Sequence, residues 1–317
     1  MKEVPVLVTY DIHLGTLQDH EVTPCFDTVL DLHRRLGIKA SFSFPAEAAR
    51  VWRSAVRALV GNSHAVGNHS LTHGPGEIYD RLPPSVQEEN LRRATEEIEA
   101  VTQQPVRFFR APAFRISGAT IHALERLGYE AELSVNSQRL GLLSSDPWNV
   151  TWMLAPRGPY HPNTQHPWRR GRARLWEIPL SCALLPFMSN TLLAFGLPFM
   201  RVFFRALYLE ARISGNPIVF MTHPEELCAT RPSTTRRRLQ WRDFWPSRYG
   251  FGFRHALMET DPVKIARWSV ALLEYMHSFE HVRFFTVPEY VRRLNGQPEL
   301  LAVEPSLQEQ DHAIHTV

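Results

Sequence analysis

VPVLVTYDIH, residues 4–13, opens the chain with a run of apolar residues that meets its first polar side chain only at Thr9. A short unalternating run of this kind reads as a buried strand, of the sort found in parallel sheets. It ends on Asp11 and His13, two positions apart. Alternation along a strand points those two side chains the same way, while Ile12 points to the opposite face.

Beyond this stretch, strand and helix patterns alternate for most of the chain. KASFSF (39–44), HAVGNHS (64–70), VRFFR (106–110), ARLWEIPL (173–180), PIVFMTH (217–223) and HVRFFTV (281–287) read as strands or strand ends. Between them, helices are expected from Thr23 to Gly37, over 46–60, from Pro84, over 117–128 and over 261–279. Strands separated by helices give an α/β fold with a parallel sheet, either open or closed into a barrel. Residues 1–294 make one catalytic domain, and the unpatterned stretch 295–317 reads as a loose tail.

Composition narrows the class. A hydrophobic content of 44% across 317 residues suits an ordinary globular core. The formal charge of +3 is too small to argue for nucleic acid, so the arginine run in TTRRRLQWR reads as a solvated loop. Cys25, Cys182 and Cys228 are scattered and odd in number, which favours free thiols in a reducing compartment over a disulfide framework. MKEVPVLVTY has no signal-peptide pattern, so a cytoplasmic protein is expected. The apolar segment 183–209 reaches spanning length, but Pro186, Gly196 and Pro198 interrupt it. It reads as an interfacial or core element inserted in the domain.

The polar residues gather at the carboxyl ends of the strands, where parallel α/β barrels build active sites. Asp11 and His13 follow the first strand, His69 and His73 the third, Arg110 follows VRFF, and His223 ends IVFMTH. HSLTH brings two imidazoles to one side of a turn, which suits a divalent metal needing a third ligand from Asp11 or His13. Arg110 is placed to keep a carboxylate ionised, and His223 is a candidate proton donor.

In order and spacing, this set resembles the polysaccharide deacetylase family with the NodB homology domain, carbohydrate esterase family 4. HSLTH matches its H-[ST]-x-x-H motif, RAPAF its arginine-x-proline motif, and IVFMTH its last strand-to-histidine motif. The resemblance implies a distorted (β/α) barrel and metal-assisted removal of an N-acetyl or N-formyl group from an amino sugar. The usual first motif carries two adjacent aspartates, and here the second is Ile12. Other members place the metal ligand two residues after the base, and in that register Asp11 is the base and His13 joins His69 and His73 on the metal. Zinc fits these nitrogen donors best, with cobalt or nickel as alternatives. Glu132 takes the place of the aspartate expected to support His223. Tyr10, Pro112, Phe114 and Tyr160 are the expected substrate contacts, with a backbone N–H near Tyr10 or Ile12 facing the oxyanion. Segment 183–209 resembles a hydrophobic insertion in members acting on lipid-linked amino sugars, which implies peripheral association with the inner membrane face. The alternatives are a cyclic amide or imide hydrolase of the same fold and a sugar- or lipid-binding module that has lost its metal.

Overall fold

The computed structural model describes residues 2–74, 76–139, 151–229, 239–247 and 250–297. The arginine run 236–238, part of the proline- and aromatic-rich stretch near 146–168, and the tail beyond 297 lie outside the described residues.

Eight parallel strands form the main sheet: β1 (Val4–Asp11), β2 (Ser41–Phe44), β3 (Ala65–Asn68), β4 (Phe108–Phe109), β5 (Ala131–Glu132), β6 (Trp176–Glu177), β7 (Ile218–Thr222) and β8 (Val282–Phe284). β1 is central and buried along its whole length. One edge pairs with β7 from Val6 to Tyr10. The other pairs first with β8 at Val4–Val6 and then with β2 at Thr9–Asp11. From β2 the sheet runs on through β3, β4, β5 and β6. Past β6, the Ser181 N–H donates to Val219 O of β7 at 3.3 Å, and the Val219 N–H donates to Ser181 Oγ at 2.9 Å. These bonds bring the far edge back to β7, so the sheet curls into a distorted (β/α) barrel.

The helices cover the outside. α1 (Asp19–Leu36) starts four residues before the expected Thr23, because the Glu21 carboxylate accepts the Gln18 N–H at 2.8 Å and caps the chain there. Gly37 closes it in the left-handed conformation, as glycine at a helix end allows. Phe26 of α1 meets Phe42, Phe44 and Trp52. The helix expected over 46–60 is two, α2 (Ala46–Val51) and α3 (Arg53–Gly61), broken at Trp52. α4 (Pro84–Thr102) has proline in its first turn and α5 (Gly118–Arg126) is capped at Ser117, both close to expectation. α6 (Ser189–Ser214) leaves helical geometry at Gly196, two residues before Pro198. α7 (Phe253–Leu257), α8 (Pro262–His277, capped by Asp261) and α9 (Val287–Leu294) complete the shell.

The cysteine reading is corrected. Cys25 on α1 and Cys228 beyond β7 form a disulfide with Cα atoms 5.2 Å apart, and buried Cys182 is free. The partners lie 203 residues apart in sequence, so no local spacing announced them. The cysteine count therefore says nothing about compartment.

A buried histidine pair lies on the helix side of β1. His33 Nε2 is 2.9 Å from Tyr10 Oη, the His64 ring centroid is 5.0 Å away, and His64 Nδ1 accepts the Ala40 N–H. Lys39 and Glu289 are the charges that reach His64. Burial pushes His33 down to about 3 and His64 to about 4. Both are neutral in the folded chain, whereas the unfolded chain takes up their protons once pH falls below about 6.5. Stability should therefore be complete above that pH and decline from about pH 6.5 toward 4, with a slope on the order of 1.4 kcal/mol per unit at most for each group. Urea melts at pH 7.5 and 5.5 check this: the double variant His33→Gln/His64→Gln should lose less on acidification than the parent. An equal loss would place the acid sensitivity elsewhere.

Candidate active site

At the carboxyl end of the sheet, Asp11 closes β1, and the guanidinium of Arg110, one residue past β4, reaches it. Arg110 Nη1 donates to Asp11 Oδ1 at 2.8 Å and to Thr9 Oγ1 at 3.0 Å, while its Nε donates to Leu133 O at 3.1 Å. Arg110 is fully buried and Asp11 nearly so. Burial alone would raise the Asp11 carboxyl, but Arg110 first, then His69 and His223, bring it down to about 2.

His13, His69 and His73 meet beside this pair. Among the described residues, they form the group whose potential metal-ligating atoms all lie within 4.8 Å of one another. The ring centroid of His13 is 4.4 Å from that of His73 and 5.9 Å from that of His69. Desolvation, reinforced by mutual repulsion, holds His13 down at about 2, and desolvation holds His69 down at about 3 and lowers His73. All three are neutral imidazoles, as metal ligation requires. His69 Nδ1 donates to Arg110 O at 2.7 Å, which leaves Nε2 with its lone pair, buried and without a partner. An imidazole fixed through one nitrogen with the other orphaned is the usual arrangement of a ligating histidine. The residues fit a divalent ion.

The turn that carries two of these histidines is held by a residue the sequence reading passed over. Ser70 and His73 both adopt positive φ, 79° and 60°, which non-glycine residues enter only under constraint. The constraint is Glu77, whose Oε2 accepts from Ser70 Oγ (2.8 Å), the Thr72 N–H (2.9 Å) and the His73 N–H (2.8 Å). Asn68 Oδ1 also accepts the Ser70 N–H, at 2.7 Å. Glu77 sits outside the H-x-x-x-H spacing, and only the folded turn shows its role.

His223 faces the same space, with its ring centroid 4.9 Å from that of His13. Its carboxylate partner is Glu226, three residues on, whose Oε1 lies 3.3 Å from His223 Nδ1. Glu226 Oε2 also accepts from Thr222 Oγ1 and the His223 N–H. Burial would lower His223, but Glu226, with help from Glu225 and Asp11, raises it to about 9. The spacing in THPEEL was the available signal.

Several expected placements are corrected. Glu132 does not support His223: it accepts from Ser134 Oγ and the Ser134 N–H, and Ser134 Oγ accepts the Ala111 N–H. It thus holds the turn after Arg110 from behind, beside buried Glu177, with which it is paired in register. Burial first, and then the neighbouring Glu132 carboxylate, raise Glu177 well above the usual range. The Tyr10 side chain points into the core, stacked 4.5 Å from Phe42. The Ile12 N–H donates to Ser43 O at 3.1 Å, so it is not available to an oxyanion. Tyr160 is fully buried, donating to Pro167 O. Pro112 is buried at the same turn as Arg110, and half-buried Phe114 has its ring centroid 5.8 Å from the guanidinium carbon of Arg110. Of the four expected substrate contacts, Phe114 alone presents a partly open side chain beside the Asp11–Arg110 pair.

The sequence model of the polysaccharide deacetylase family matches residues 1–131, which contain Asp11, all three clustered histidines and Arg110. Within solved structures, the fold is similar to that of a candidate polysaccharide deacetylase from Mycobacterium smegmatis, with a TM-score of 0.61 at 14% identity over 96% of each chain. It is also similar to 4-alpha-glucanotransferase from Thermococcus litoralis, at 0.54 and 13% identity over 92% of this chain and 41% of that one. A family 4 carbohydrate esterase from Streptomyces lividans, in complex with acetate, aligns at 0.46 and 13% identity over 89% of this chain and 91% of that one. At such identities the likeness is one of fold. No curated protein matches the sequence.

The turn contacts predict the effect of Glu77→Gln. Replacing one carboxylate that accepts three bonds should loosen HSLTH and lower metal affinity roughly 10- to 100-fold. Competition titration against a chromophoric chelator measures this, with circular dichroism showing the fold retained. Unchanged affinity would remove Glu77 from that role.

Proposed function

We propose that this protein removes an N-acyl group from an amino sugar with a divalent metal bound by His13, His69 and His73. The observation that carries the proposal is the orphaned, tautomer-fixed His69 Nε2 set among two further neutral imidazoles, beside an ionised carboxylate. A catalytic zinc commonly takes three protein ligands and keeps a position for water, where it supplies Lewis acidity toward a carbonyl and a more acidic water. Three nitrogen donors favour zinc, cobalt or nickel over magnesium or calcium.

The chain's own residues divide the remaining work. Asp11 accepts the proton of the attacking water, since its carboxylate is ionised and aimed by Arg110. Keeping Asp11 out of the ligand set preserves it as a base. His223, held by Glu226 across from the histidine cluster, delivers a proton to the departing amine nitrogen. Burial of Arg110 and Asp11 excludes water from the pair, so the guanidinium acts at a low local dielectric.

Two sets of variants test this reading. Asp11→Asn should keep its metal and lose about 10²- to 10⁴-fold in turnover of acetylated or formylated amino sugars, the range of a general base. Turnover within a few-fold of the parent would remove Asp11 from that position. In the second set, elemental analysis should find metal content steeply reduced in His13→Ala, retained in His13→Asp and little changed in Ile12→Ala. Full occupancy in His13→Ala would sink the proposed ligand set. A parent that takes up no metal would favour a binding module, and turnover of ring amides in place of amino sugars would favour a cyclic amide hydrolase.

A further inference from the structure

α6 carries an apolar stripe on the side turned away from the barrel. Phe199, Val202, Leu209 and Ile213 are exposed, with Val202 at 72% and Ile213 at 85%, and their spacing keeps them on one helical face, while exposed Phe195, before the break at Gly196, meets Phe199 with ring centroids 5.0 Å apart. The opposite face is taken up by the fold: Met200, Phe203, Phe204, Leu207 and Tyr208 are buried, and Phe204 and Tyr208 meet Phe279 just past α8. α6 is long and apolar enough to cross a bilayer by composition, but 44% of its most apolar window is buried inside the protein. A helix whose inner face is core and whose outer face is apolar suits lying on a membrane better than spanning one.

A second apolar patch is linked to α6 through α7. In the segment after β7, Leu239, Trp241, Phe244 and Trp245 are exposed, Trp241 at 88% and Trp245 at 75%. This segment packs on Gly252, where an added Cβ would meet Asp243 Oδ1 at 2.5 Å. α7 begins at the next residue and packs on α6, while the Glu259 N–H donates to Leu193 O in the first turns of α6. α6 starts at the carboxyl end of the sheet, where Met188 bridges Met221, two residues before His223, and runs along the flank of the barrel to Ser214, just ahead of β7.

The charges between these side chains have one sign. Arg201 and Arg205 of α6 and Arg242 are exposed, and the acid of α6, Glu210, is already paired with Arg157. Two copies of so cationic a surface would repel each other, whereas an anionic headgroup layer would attract it. Exposed tryptophans with arginines are the composition of the membrane–water interface.

We infer that the stripe of α6 and the Trp241–Trp245 patch together form a docking surface for an anionic lipid bilayer. Docking lays the flank of the barrel that α6 covers along the headgroups and holds the rim of the site near substrates carried at the membrane surface. That last consequence rests on the deacylase reading, and the docking itself does not.

Flotation with vesicles of phosphatidylcholine, with and without phosphatidylglycerol, tests it on the full chain. Binding should require phosphatidylglycerol and weaken with added salt. The double variant Trp241→Ala/Trp245→Ala and the single variant Val202→Glu should each bind at least about tenfold more weakly. Neither change touches the catalytic groups, so turnover of a soluble acetylated amino sugar should stay at the parent level. Parent protein that fails to float with anionic vesicles would overturn the inference, as would variants that float equally well. Resistance to carbonate extraction would overturn it in favour of a span, and a dimer abolished by Val202→Glu in favour of self-association. Vesicle binding is read without turnover, so loss of either result leaves the other standing.

Discussion

One buried ion pair organises the catalytic end of this molecule. Arg110 has no exposed surface, and its guanidinium ties Asp11 and Thr9 of β1 to Leu133 beyond β5 across the inside of the barrel. Its carbonyl accepts from His69 Nδ1, so the same residue fixes the carboxylate and the tautomer of a clustered histidine. Removing one partner of such a pair leaves an uncompensated buried charge, at a cost of about 3–5 kcal/mol. Aligned here, the pair costs desolvation and leaves a carboxylate held ionised at about 2 in a dry site.

The site has a second layer of carboxylates, each holding a particular stretch of backbone. Glu77 folds the HSLTH turn into positive-φ geometry, Glu226 aims His223, and Glu132 works through Ser134 on the turn after Arg110. Each is buried, and each accepts bonds from main-chain N–H groups or hydroxyls at the end of a strand. His69 follows the four-residue β3, His73 lies in the loop beyond it, and Arg110 follows the two-residue β4, so the ladders behind these side chains are brief. Short strands cannot fix side-chain directions to the tolerance that a metal requires, so these acids supply the missing constraint.

The disulfide and α6 attach the outer elements to this frame. Cys25–Cys228 joins α1 to the segment that leaves β7, just past the acidic pair Glu225 and Glu226 beside His223. α6 delivers the chain into β7, covers the barrel with one face and leaves the other apolar. Both features sit next to β7, the strand that closes the barrel and ends in His223.

The sequence by itself determined the alternating α/β order, the central strand from Val4, the helix stops at Gly37 and Gly128, and the set Asp11, His13, His69, His73, Arg110 and His223. Those signals are local: an apolar run, a glycine in the left-handed conformation, an H-x-x-x-H spacing. Tertiary structure alone decided which residues serve that set. Glu77 and the Cys25–Cys228 bond act across a turn and across the fold, where the partners of the Glu77 carboxylate are mostly backbone N–H groups common to every residue and carry no sequence mark, while Glu226 was marked only by its spacing from His223. It also withdrew Tyr10 and Tyr160 from the site, because an aromatic ring at a strand end packs wherever burial is greatest. Burial is a property of the assembled barrel, and a strand's pattern does not say which loop will fold back to cover it.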